Sequence, residues 1–235
     1  TKDFLLRHTA SYRLSDLGQE QACLVGAHLD TVFPTFDRYY VSEYIRAKET
    51  AALMKLRGAE WFTDFNLTER NWGELDLYTP EERDHRYGEV LKRREYEPFF
   101  WTPPSGENFA QLCLRLRNVL ETWHRECSDK RILVVCHGEV MWAFRVLLER
   151  MSQEKFRELH LSSNPSDRIH NCQIIHYTRR DPYQGRTNKY VAWMRMIRPA
   201  TPKETFDTSW RAIERKRYSN EDLLAEVERV NRMIT

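Results

Sequence analysis

The sequence predicts an α/β domain built on a mostly parallel sheet, and three observations carry that prediction. Short apolar runs ending at Arg7-His8, at Ser42 and at Cys136 alternate with stretches of helical periodicity over the first 150 residues, the pattern of strand–helix–strand units. The run Ile132-Leu133-Val134-Val135 has no polar face, as expected of a strand covered on both sides. The chain has 235 residues, 41% of them hydrophobic and 12% aromatic, enough to bury the core of one domain of ordinary size.

Each element follows from local pattern. A helix is expected from Ser15 or Asp16, because Ala22, Val25, Leu29 and Val32 recur at helical spacing. Arg38 to Ser42 is a second strand, and its helix carries Ala47, Ala51 and Met54 on one face. A brief third strand includes Trp61-Phe62, followed by a loop around Leu67 to Gly73. Residues 80–97 are densely charged and helical in pattern, and Pro98, Pro103 and Pro104 end that helix. Ser105 is the expected N-cap of the next helix, in which Phe109, Leu112, Leu116, Val119 and Trp123 step by three and four. After the strand at 131–136 come His137-Gly138 and a helix with Val140, Phe144 and Leu147 on one face. Ile169 to Thr178 and Lys189 to Ile197 read as two strands joined by Asp181-Pro182-Tyr183-Gln184-Gly185. Pro199 and Pro202 divide a domain of residues 1–200, with a helical, charged insertion at about 74–104, from a tail of 201–235. The final helix starts near Ser219 with Asp222 as its capping-box partner. Its stripe of Leu223, Val227 and Val230 is expected to pack on its own domain, with homodimer formation as another use.

Composition excludes several functions. With 37 basic and 35 acidic residues, the chain lacks the broad basic face of a nucleic-acid binder. No apolar run approaches the roughly 20 residues of a spanning helix, so no membrane partner is expected. The five cysteines are odd in number and contain no CxxC, which argues against a disulfide framework or a zinc ribbon. Without a signal-peptide stretch in the first eight residues, the expected location is the cytoplasm.

Chemistry should gather beyond the carboxyl ends of the strands. Arg7-His8 ends the first, Ser42 with Arg46 a turn later ends the second, and His137-Gly138 follows the fourth. Two imidazoles and two guanidiniums at one sheet edge would make a cationic site that the +2 total conceals, and Arg suits forked recognition of phosphate oxygens.

Four stretches in order resemble the histidine phosphatase superfamily, which includes the cofactor-dependent phosphoglycerate mutases. Leu6-Arg7-His8 followed by Leu14-Ser15-Asp16-Leu17-Gly18-Gln19-Glu20-Gln21-Ala22 is similar to its opening signature. Ser42-Glu43-Tyr44-Ile45-Arg46-Ala47-Lys48-Glu49-Thr50-Ala51 resembles its Ser-x-x-x-Arg-Ala-x-x-Thr-Ala. Leu67-Thr68-Glu69-Arg70-Asn71-Trp72-Gly73 resembles its Leu-x-Glu-x-x-x-Gly, and Val134-Val135-Cys136-His137-Gly138 its Val-Val-x-His-Gly. The resemblance implies a phosphoglycerate mutase-like three-layer sandwich with a C-terminal helical extension. It implies His8 as the nucleophile, forming a phosphohistidine while its other ring nitrogen is held by a backbone carbonyl. Arg7, Arg46 and His137 would surround the phosphoryl group. Glu69 would be general acid and then base, a role that wants a raised pKa. A small phosphate ester is the implied partner, and neither metal nor cofactor is called for.

Departures from the family pattern bear on the pocket. Thr9-Ala10 replaces the usual Gly and acid or amide, removing a residue that permits close backbone approach to phosphate, and the Thr9 hydroxyl could serve as a donor instead. Gly106-Glu107-Asn108 stands for Gly-Glu-Ser, and Glu107 reads best as a first-turn acid. Tyr87-Gly88-Glu89 and Lys92-Arg93-Arg94-Glu95-Tyr96 are similar to a mutase stretch that grips substrate, so Arg93, Arg94, Tyr96 and Gly138 are weaker candidates for substrate binding. A mutase would carry a Lys shortly after Gly73 and a long insertion before the Gly-Glu helix, and neither is present. Hydrolysis of a phosphomonoester is therefore the favoured activity, with mutase-type transfer second and a non-catalytic phosphate-binding scaffold third.

Overall fold

A computed structural model describes residues 7–33, 35–201 and 207–232. The strand expected before Arg7 lies outside them. Three parallel strands, β1 (Arg38–Ser42), β2 (Trp61–Asp64) and β3 (Ile132–Val135), pair in the order β2-β1-β3. Around them lie α1 (Asp16–Val32), α2 (Ile45–Leu53), α3 (Pro80–Tyr96), α4 (Phe109–Glu126), α5 (Gly138–Glu149) and α6 (Gln153–His160).

The sheet alternates its side chains between two cores, as the two-residue period of a strand requires. Val41, Leu133 and Val135 face Val25 and Leu29 of α1 and Ala47 and Ala51 of α2. Tyr40, Ile132 and Val134 face Leu112, Leu116 and Trp123 of α4 and Val140 and Phe144 of α5. Three layers result. Leu112 and Leu116 are fully buried, and each contributes about 1.5–3 kcal/mol by leaving water. α1 and α2 meet closely at Gly26, where an added Cβ would lie 2.2 Å from the Met54 carbonyl oxygen. β3 is partly rather than fully covered.

Helix starts follow the caps, with one correction. Gly18 N–H donates to Ser15 Oγ, and Thr79 and Glu82 form the capping box of α3. Ser105 does not cap α4. It adopts φ 57° and its hydroxyl donates to Glu74 Oε1 at 2.8 Å, while Asn108 caps the helix in a capping box with Gln111.

A second sheet is antiparallel: β4 (Ile174–Thr178), β5 (Trp193–Ile197) and β6 (Arg211–Ala212). The expected start at Ile169 moves to Ile174, because Cys172 takes φ 55° and Gln173 N–H donates to the His170 carbonyl, closing a turn. The segment assigned to the tail reaches back to the body through β6, and Trp210 meets the His176 ring at 4.7 Å and the Arg195 guanidinium at 4.6 Å. α7 (Asn220–Glu228) lies beyond this anchor. Its stripe does not pack on the domain as expected: Leu223, Val227 and Val230 are 50–70% exposed. No described helix is long and apolar enough to cross a membrane.

Candidate active site

The parallel register pairs Val41 with Val135, so the last residue of β1 meets the residues just past β3. A 2.7 Å hydrogen bond joins His137 Nε2 and Ser42 Oγ. His137 is buried at the start of α5, and burial, then the charges of Arg46 and Arg115, push its pKa down to about 3. It is therefore neutral at physiological pH. The expected pair of cationic imidazoles is corrected on this point, because desolvation disfavours imidazolium. Arg7 and Arg46 carry positive charge here.

Tyr44, the residue before α2, ties the other groups together. Its ring meets His137 edge-on at 5.1 Å and His8 edge-on at 6.0 Å, and the Arg46 guanidinium lies 4.9 Å over it. Arg46 Nη1 also donates to the Thr9 carbonyl at 2.7 Å, holding the 3₁₀ turn Thr9–Ser11 that follows His8. The Thr9 side chain lies close to both Tyr44 and Asp76.

His8 is exposed, and its ring departs from expectation. Nδ1 accepts from the Ala10 N–H at 3.1 Å rather than donating to a carbonyl, because the 3₁₀ turn aims that N–H back at the ring. A neutral His8 in this position carries its proton on Nε2.

Glu69 stands in the half-buried loop after β2. Burial, reinforced by the charge of Glu139, pushes its pKa up to about 7, against the pull of the Arg70 amide and Arg46. That amide donates to Glu69 Oε1 at 2.9 Å. Arg115 of α4 holds the loop from behind. Its guanidinium donates to the carbonyls of Asn66, Thr68 and Glu69 and grips both Glu107 oxygens, at 2.8 and 3.0 Å. Glu107 is thus a loop-positioning acid rather than a first-turn acid. Buried Arg70 adds a second brace, donating to the Glu107 and Trp101 carbonyls and to Glu139 Oε2. Glu139 in turn bonds His160 Nε2 at 3.0 Å.

A cleft of about 310 Å3 opens beside His8. Arg7 and Thr9 form one wall, and Asn71, Gly73, Glu74, Asp76, Leu77 and Ser105 the other. Gly73 takes φ 57°, and a Cβ there would lie 2.1 Å from the Pro104 carbonyl oxygen, so the far wall is packed against the 104–106 turn.

The substrate-gripping candidates on α3 do not line this cleft. Arg93 pairs with Glu97 in solvent, and Tyr96 is 71% exposed. Arg94, one residue and about 100° around the helix, turns inward, and its guanidinium lies 4.7 Å over the Trp72 ring behind the Glu69 loop. Gly138 is the exposed first residue of α5, with open space where a Cβ would project. Among the described residues, no group of three or more His, Cys, Asp or Glu could hold a metal ion. Sequence reasoning missed Tyr44, Asp76 and Arg115. Tyr44 lay inside a quoted motif, whereas Arg115 lay in none, and the carbonyls it holds are 46 to 49 positions away.

The profile of the histidine phosphatase superfamily (branch 1) matches residues 5–182, and the chain belongs to that superfamily. It is 30% identical over 159 residues to a 2,3-bisphosphoglycerate-dependent phosphoglycerate mutase of Azorhizobium caulinodans, covering 64% of this chain and 76% of that protein. The same-named protein of Methylorubrum populi is 27% identical over 156 residues, covering 64% and 74%. Among solved structures, the alpha-ribazole phosphatase of Shigella flexneri aligns with a TM-score of 0.62 at 23% identity, covering 80% of this chain and 88% of that one. A mycobacterial glucosyl-3-phosphoglycerate phosphatase aligns at 0.56 and 21%, covering 64% and 76%. These two structures share the fold.

Proposed function

We propose that this protein hydrolyses a small phosphorylated metabolite through a phosphohistidine on His8. The observation that carries the reading is Glu69, a carboxyl whose pKa burial raises to about 7, acted on by Arg46 and linked through Tyr44 to His137 and His8. A His8 ring nitrogen attacks phosphorus, and the bond from phosphorus to the ester oxygen breaks. Glu69 gives its proton to that departing oxygen. As a carboxylate it then takes a proton from water, whose oxygen attacks phosphorus, breaks the P–N bond and frees phosphate. Arg7 and Arg46 balance the charge on the phosphoryl oxygens, and neutral His137 donates a hydrogen bond to one of them. The Ala10 bond to Nδ1 must open in either course. Attack through Nδ1 uses that lone pair, and attack through Nε2 moves the proton to Nδ1. Arg115, Glu107 and Arg70 hold the Glu69 loop in place.

The test is phosphate release from p-nitrophenyl phosphate in EDTA, with rapid-quench labelling of the protein. The wild type is expected to release phosphate and to carry acid-labile phosphate on histidine, and His8→Ala to do neither. Undiminished turnover by His8→Ala would remove the mechanism. The names of the curated relatives favour one second reading, mutase-type transfer, which would exchange phosphoryl groups on phosphoglycerate without net phosphate release.

A further inference from the structure

The cleft beside His8 carries information about the group that leaves. Building on the phosphohydrolase reading, we propose that this cleft takes a phosphomonoester with an uncharged, hydroxyl-bearing leaving group, and that Asp76 discriminates against leaving groups that carry a carboxylate.

Arg7 and Arg46 are the cations that a bound phosphoryl dianion would neutralise, and Glu69 contributes no charge while it holds its proton. What then faces the rest of the substrate is Glu74 and Asp76, both lining the cleft, with Arg83 of α3 close enough to act on Asp76 but outside the lining. With both acids ionised those three sum to one negative charge, and burial raises the Asp76 pKa from its ordinary value. Glu74 is fixed as an anion, since Tyr87 donates to its Oε2 at 2.7 Å and Ser105 to its Oε1 at 2.8 Å. Asp76 is half-buried beside Thr9 and shares the surroundings of His8, Arg46 and Arg83, so it stands where the ester oxygen and the first carbons of a leaving group must pass. A second acid on the substrate would meet two carboxylates in a partly desolvated space, where like charges repel strongly. Hydroxyl groups meet acceptors instead. Leu77, 54% exposed at the rim, offers an apolar patch to the carbon face of a small polyol. A volume of about 310 Å3 falls at the small end of ligand clefts, in keeping with a phosphoryl group and a short-chain or single-ring leaving group.

The experiment compares kcat/KM for ribose 5-phosphate and 3-phosphoglycerate in the full chain, with p-nitrophenyl phosphate as the reference ester. The wild type is expected to favour ribose 5-phosphate, and Asp76→Asn to narrow that ratio on the order of tenfold by improving use of 3-phosphoglycerate. Because the readout is a ratio within one protein, a general loss of active enzyme does not move it. If Asp76→Asn does not fold, the wild type alone decides: about 1 M salt, which screens charges beyond a few ångströms, should narrow the ratio. Preference for 3-phosphoglycerate in the wild type overturns the inference, as does a ratio unmoved by both the substitution and salt. Those results leave the phosphohydrolase reading standing if p-nitrophenyl phosphate is still hydrolysed. Failure to release phosphate from any of the three esters removes both.

Discussion

The candidate site has two wings built from the same residue types in opposite surroundings. On one side, Arg7 and His8 lie exposed beside the cleft, on a short turn that one hydrogen bond from Arg46 ties to the body. On the other, Glu69 and His137 are withdrawn from water, with pKa values pushed to about 7 and about 3. His8 can meet a substrate because it is accessible, and Glu69 can hold a proton at neutral pH because it is not. A solvated carboxyl would be ionised at pH 7 and useless as an acid. The proposed nucleophile and the proposed acid thus sit in different environments. Tyr44 and Thr9 are the junction between them.

The division can be broken first at Glu69. Glu69→Gln keeps the shape and removes the proton, so turnover of p-nitrophenyl phosphate should fall about 10²–10⁴-fold while orthovanadate binding stays within a few-fold. A rate near that of the wild type would place the acid elsewhere. Next comes the brace. Arg115→Met strips three carbonyls and Glu107 of their donor, and at about 3 kcal/mol the loss should show in urea unfolding, together with slower turnover at unchanged cleft chemistry. An unaltered unfolding midpoint would mean that the loop holds itself.

A subtler effect lies in the pH dependence of stability. The folded pKa of Glu69 is raised, so between pH 4.5 and 7 the folded state binds the extra proton and stability falls as pH rises. The folded pKa of His137 is lowered, so between pH 3 and 6.5 the unfolded state binds the extra proton and stability rises with pH. Across 4.5–6.5 the two slopes oppose, each at most about 1.4 kcal/mol per pH unit. Glu69→Gln should therefore steepen the rise of stability with pH in that window, and His137→Gln should turn it downward, as read from urea midpoints at several pH values. Parallel profiles for all three proteins would show that burial does not hold these two groups apart. The smallest effect belongs far from either wing. Removing residues 219–232 takes away a helix whose apolar stripe touches little, and thermal stability should change by no more than about 0.5 kcal/mol. A drop of several degrees would mean that the stripe is covered in solution, and sedimentation would then tell whether a second copy covers it.

Much of the framework was legible before any coordinates. Ala22, Val25 and Leu29, and the series Phe109 to Trp123, marked buried helix faces because a helix repeats every 3.6 residues and a core admits only one stripe. The misreadings share a cause. Ser105 looked like a cap, but a positive φ and the nearby Glu74 carboxylate drew its hydroxyl elsewhere. Glu107 looked like a first-turn acid until Arg115, two turns along α4, closed on it. Arg93 and Arg94 looked equivalent, and the helix turned one to solvent and the other onto Trp72.

The sequence by itself determined much of the order of strands and helices, though not α6 or β6, together with the family motifs and the side chains whose chemistry suits phosphoryl transfer, because periodicity, caps and residue chemistry are local properties. Only the tertiary structure decided their electrical state and their company. That His137 is neutral, that Glu69 holds its proton near neutral pH, that His8 offers Nδ1 to Ala10 and that Asp76 shares the cleft with Arg7 all depend on desolvation and on charges brought together from distant positions. Interactions of that kind depend on distance in space, which spacing along the chain does not encode.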